Sequence, residues 1–160
     1  MISKKLLLVI CFCITSVTLF AQDFATRFMQ NHQNDNNLKC VTVSPKMMEK
    51  VMNVDVNDDS MKKMLADLKS MQMISSTNYV RKYYREAISL AKKNADRFIL
   101  YTSYSKKKNA YEIRVRERKN IIVELMMVMR DAKSFSVINF TGKMDKAFIE
   151  RLKTSVNVTN

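Results

Sequence analysis

The chain has 160 residues, a formal net charge of +13, thirteen methionines, and only one glycine, one proline and one histidine. A single glycine excludes the P-loop, the dinucleotide loop and the nucleophile elbow, each of which needs several glycines close together. A single histidine excludes paired-histidine zinc helices and most catalytic triads.

Met1-Ile2-Ser3-Lys4-Lys5 is a short basic opening, Leu6 to Phe20 is uncharged and mostly apolar, and Ala21-Gln22-Asp23 turns polar. A positive end, an apolar segment and a small residue at the cut are the three parts of a secretory signal peptide. Residues 1–21 are therefore expected to be removed, leaving 22–160 as a single α+β domain that is periplasmic or extracellular. A spanning helix takes roughly 20 apolar residues; this run is shorter, carries Thr15, Ser16 and Thr18, and has no basic stop beyond it. No transmembrane segment is expected after removal. A lipid anchor would need a cysteine at the cut, whereas Cys11 and Cys13 lie inside the apolar run. The cut also takes Lys4 and Lys5, so the charge falls from +13 to +11 and only Cys40 of three cysteines is kept. One cysteine cannot form an internal bridge, and packing must supply the stability.

Residues 23–31 read as a short helix with Phe24, Phe28 and Met29 on one side, followed by a polar loop over 30–37. Leu38 to Val43 reads as a strand that buries Cys40 as a small hydrophobe. Ser44-Pro45 opens a helix over 45–53, with serine at the N-cap and proline at the first helical position. A loop over 54–59 leads to a helix over 59–69, capped by Asp58 or Asp59, with Met61, Met64, Leu65 and Leu68 on its buried side. Residues 71–74 suit a short strand, and 78–93 form the longest helix.

The period then changes to alternation. Strands are expected over 98–105 and 111–115, the latter setting Tyr111, Ile113 and Val115 against a wet face of Glu112, Arg114 and Arg116. Residues 121–129 place Ile121, Val123, Leu125, Met127 and Met129 on one face; β-branching favours strand over helix there. A strand over 134–140, a turn at Thr141-Gly142-Lys143 and a helix from an Asp145 cap to about Lys153 close the chain. Together these predict an α+β fold, an antiparallel, meander-like sheet of about four to five strands packed on one face by helices.

The weaker chemical signals each have a plainer reading. Asp55-x-Asn57-x-Asp59 copies three calcium ligands, but Ser60 and Ala66 stand where glycine and a closing carboxylate are required. S-x-x-K occurs three times in this lysine-rich chain, without its companion motifs. The methionines lie at core spacing rather than as a copper site. No cofactor or metal is expected. Cys40 with His32 is the one thiol–imidazole pair available to an enzymatic alternative, and enzymatic activity is disfavoured. Cations are spread along the whole chain without an RNP-type, helix-turn-helix or zinc-finger pattern, and the expected export also argues against nucleic acid as a partner. An anionic envelope component, such as a phospholipid or lipopolysaccharide head group, or a protein, is the expected partner. Arg114, Arg116 and Arg118, followed by Lys119, form the densest cationic row and the candidate binding surface.

Val43-Ser44-Pro45-Lys46-Met47-Met48, Glu124-Leu125-Met126 and the closing Val137-Ile138-Asn139-Phe140-Thr141-Gly142-Lys143-Met144-Asp145 resemble an exported family, domain of unknown function (DUF) 4252. The resemblance implies a small Bacteroidetes envelope or secreted protein and carries no catalytic residues. This chain departs from members with lipoprotein signals, having no cysteine at the junction. A non-enzymatic binding module using the basic strand face is the expectation; the alternatives are the Cys40/His32 enzyme and a structural protein that self-assembles through a sheet edge.

Overall fold

The computed structural model describes residues 22–51 and 58–157. The segment expected to be a signal peptide, Met52 and the calcium-like Asp55 and Asn57 lie outside the described residues. Apolar periodicity sets five helices, α1 (Phe24–Gln30), α2 (Pro45–Val51), α3 (Asp59–Ala66), α4 (Val80–Lys93) and α5 (Lys146–Asn157). Alternation sets six strands rather than four to five: β1 (Lys39–Val43), β2 (Leu68–Ser76), β3 (Ile99–Lys106), β4 (Asn109–Arg118), β5 (Ile121–Arg130) and β6 (Phe135–Met144). Caps fix the helix starts: Asp23 accepts from Thr26 N, Asp58 from Met61 N and Asp145 from Phe148 N.

The strands form one antiparallel sheet in the order β1-β2-β6-β5-β4-β3. Strands β3 to β6 are the expected meander. The last strand closes beside β2, in the register Met71↔Phe140 and Met73↔Ile138. Helices cover both faces, not one. Phe24 and Phe28 of α1 and Tyr83, Ala87 and Ala91 of α4 pack with Ile74, Met126, Val128 and Val137. Met48 of α2, Leu65 of α3 and Phe148 and Ile149 of α5 pack with Met71, Ile113, Leu125, Met127 and Phe140 on the other side. Consecutive methionines thus enter opposite cores, and the unbroken Leu125–Val128 run is that of a strand buried on both faces.

Three sequence readings are corrected by bulges and edges. Register shifts beside Val123 turn Ile122 into the core and leave Ile121 43% exposed. The α3 helix stops at Ala66, so Leu68 opens β2 instead of lining a helix. Residues 141–143 continue β6 through a bulge and do not form a turn. Gly142 has φ +137°, and a Cβ there would meet Asp67 O and Leu68 Cα at 2.6 Å; only glycine allows that approach. No helix among the described residues is long and apolar enough to cross a membrane.

Candidate functional site

Strand β4 turns Glu112, Arg114 and Arg116 toward the side occupied by α1 and α4, so this face is not the wet one expected. Arg114 is only 6% exposed, and its Nε donates to Glu112 at 2.9 Å. Arg116 stands opposite Glu124 in register and donates to its carboxylate at 2.9 Å. Arg118 and Lys119 are exposed, with Lys119 and Asn120 at φ 52° and 62° in the tight β4–β5 turn. Two consecutive positive φ values match the right-handed twist of the flanking strands. The row therefore divides into two arginines neutralised inside the fold and two cations facing solvent.

The carboxylate that takes up Arg116 anchors a network that composition and spacing did not announce. Glu124 is fully buried. Its Oε2 also accepts from Arg97 at 3.3 Å, while Oε1 accepts from Phe24 N at 2.6 Å and Asn139 Nδ2 at 3.3 Å. Asn139 Oδ1 accepts from Ala25 N at 3.1 Å, and Arg97 Nη2 donates to Gln22 O. The first N–H groups of a helix have no intrahelical acceptor; here two sheet side chains supply one each. The signal that could have found this was a lone acid and a lone amide inside two apolar strand runs, where a buried polar group needs a partner.

Cys40 and His32 are not set up as a catalytic pair. Cys40 is exposed on β1, correcting the expected burial, because β1 is an edge strand that buries only Val43. Residual burial, then the nearby Asp23 carboxylate, push its thiol above the ordinary value, away from the reactive thiolate. His32 engages Phe28 O through Nδ1 at 2.8 Å and Glu86 through Nε2 at 2.9 Å, leaving neither nitrogen to take a thiol proton. Among the described residues no three of His, Cys, Asp and Glu converge as metal ligands.

The concentrated exposed charge lies on α4. Arg81, Lys82, Arg85, Lys92 and Lys93 are all exposed along its 14 residues, and its one acid, Glu86, is tied to His32. Beneath them Tyr84, Arg85, Ile88, Ser89, Lys92 and Lys93 line an open groove of about 470 Å³. Its floor is apolar, with Ile88 8% exposed and packed into the core. Burial, then the Glu112 carboxylate, raise the Tyr84 hydroxyl above its ordinary value. The Ile99↔Val115 pairing puts the Arg118–Lys119 turn at the end of the sheet where β3 begins, the end that α4 reaches through residues 94–97. Sequence reading saw these cations as one group among many, since helical spacing alone does not reveal which acids are already engaged.

A family model described as domain of unknown function (DUF4252) matches residues 30–152. No curated protein matches the chain, and no solved structure does.

Proposed function

The chain belongs to the DUF4252 family, and we propose that it is an exported, non-enzymatic binding module, beginning at Gln22, that holds an anionic component of the cell envelope. The observation that carries this reading is the α4 groove, a cationic rim over an apolar floor without an unengaged acid on the helix. Such a site suits a phosphate-bearing head group, with Arg85, Lys92 and Lys93 holding the anion and Tyr84 and Ile88 meeting its apolar part. Arg118 and Lys119 extend the positive surface, while Arg114 and Arg116 support the strand from within. The engaged nitrogens of His32 and the raised thiol of Cys40 favour binding over catalysis.

Cosedimentation with phosphatidylglycerol and phosphatidylcholine vesicles at low and raised salt tests the reading. Each cation near an anionic surface contributes about 1 kcal/mol. Neutralising Arg85, Lys92 and Lys93 to glutamine should therefore weaken binding to the anionic vesicles roughly 100-fold. Neutralising Lys46, Lys63 and Lys133 should have a smaller effect. Equal losses from both triple variants, or no preference for anionic vesicles, would refute the site.

A second reading has its own observation. Strand β3 has no strand on its outer side among the described residues, and exposes Ile99, Leu100 and Tyr104. A bare apolar edge is a template for pairing, so self-association through β3 would show as a dimer in sedimentation that Leu100→Lys abolishes.

A further inference from the structure

We propose that the mature N terminus is pyroglutamate formed from Gln22, an inference that rests on the cut after Ala21 given above. The fold makes residue 22 a held residue rather than the start of a loose tail. Asp23 caps α1, Phe24 and Ala25 lie in the core and dock on Glu124 and Asn139, and the carbonyl of Gln22 itself accepts from Arg97. A cut further along would remove the cap or the core residues.

Gln22 is half-buried and lines a groove of about 540 Å³ with Arg27, Lys93 and Arg97. Asp96 lies in the same groove, Asp23 is occupied at the α1 cap, and Glu124 is shared between Arg97 and Arg116. A free α-ammonium held there would join three cations in a partly desolvated place. The three cations outnumber Asp96, so the balance of charge favours the uncharged form of the α-amine, which is also the nucleophile. The amine nitrogen attacks the side-chain Cδ of the same residue and a C–N bond forms. The bond from Cδ to the carboxamide nitrogen breaks, and ammonia leaves with a proton from the amine. No oxidant, reductant or second reactant is needed, and the product is a five-membered lactam. The terminal charge disappears, the carbonyl that Arg97 holds is retained, and the end of the chain is closed to aminopeptidases.

The test is intact mass, measured before any digestion, together with N-terminal sequencing. The sample is the full chain expressed with its own leader, recovered from the periplasm and held overnight at neutral pH. The expected result is a chain starting at residue 22, lighter by one ammonia and silent in sequencing, whereas Gln22→Ser yields a readable terminus. A chain starting at Gln22 with a free amine overturns the cyclisation and leaves the cut standing. A chain starting anywhere else overturns the cut, and the proposal with it.

Discussion

Glu124→Gln isolates the part of the fold that ties the first helix to the sheet. The replacement keeps shape and one acceptor oxygen, but sets an NH2 where Oε2 receives Arg97 at 3.3 Å and Arg116 at 2.9 Å. Donors would face donors, and two guanidinium groups would lose their only shared anion. Breaking a fully buried pair costs about 3–5 kcal/mol. The arginine side chains are 18% and 28% exposed, so water takes up part of the loss and about 3 kcal/mol is expected. In a domain of this size that lowers Tm by roughly 10 °C, a large share of a total stability of about 5–15 kcal/mol. Urea unfolding followed by circular dichroism gives the difference. Arg97→Met and the double variant then close a cycle whose coupling energy should exceed about 1 kcal/mol. A loss for Glu124→Gln below about 1 kcal/mol, with unchanged urea dependence, would show that the carboxylate contributes no more than an ordinary buried amide and would refute the clasp.

Gly142→Ala should cost about 3 kcal/mol or more, because positive-φ strain adds to a clash with backbone that cannot swing away; a urea midpoint equal to wild type would contradict this. The Tyr83 hydroxyl donates to Asp35 at 2.5 Å, and this bond, then those from Asn37, lower the Asp35 carboxyl to about 2. A group depressed when folded stabilises above its unfolded value near 3.8 and loses that contribution as pH falls toward 2. The stability gap between wild type and Asp35→Asn should accordingly shrink from pH 4 to pH 2, and a gap that stays constant would remove Asp35 from the account. Cys40 should label completely in the native state with a thiol reagent, at a rate still rising with pH beyond the range of a free thiol. Cys40→Ser should change stability by no more than about 0.5 kcal/mol, as measured by urea unfolding.

Helix starts were legible where their chemistry is local: Asp58 and Asp145 announce caps three residues before the groups they serve, whereas Asp23, read as part of its helix, is its cap. The meander was legible because four strand-like runs follow one another between Phe98 and Phe140 with only short connections between them. The number of covered faces was not, since Glu112, Arg114 and Arg116 have the period of a solvent face, while helices distant in sequence cover that side and the arginines pair with Glu112 and Glu124. Bulges at Val123 and Gly142 shift side chains without a clear mark in periodicity; the lone glycine was visible, but a turn and a bulge ask the same of it. The α4 groove was half legible, its helix and cations plain and its freedom from acids dependent on His32 reaching Glu86 across 54 positions.

The placement of β6 between β2 and β5 also governs when the chain can acquire its shape. β2 finds its second neighbour only when Phe135–Met144 arrives, and Phe24 N waits for a carboxylate 100 positions away. Contacts this distant in sequence form late and make folding slow. While the chain is incomplete, the first helix lacks the Glu124 and Asn139 acceptors that receive its opening N–H groups. The topology thus leaves the early segments pliable until the later strands exist, and the first helix is among the last parts to be fastened.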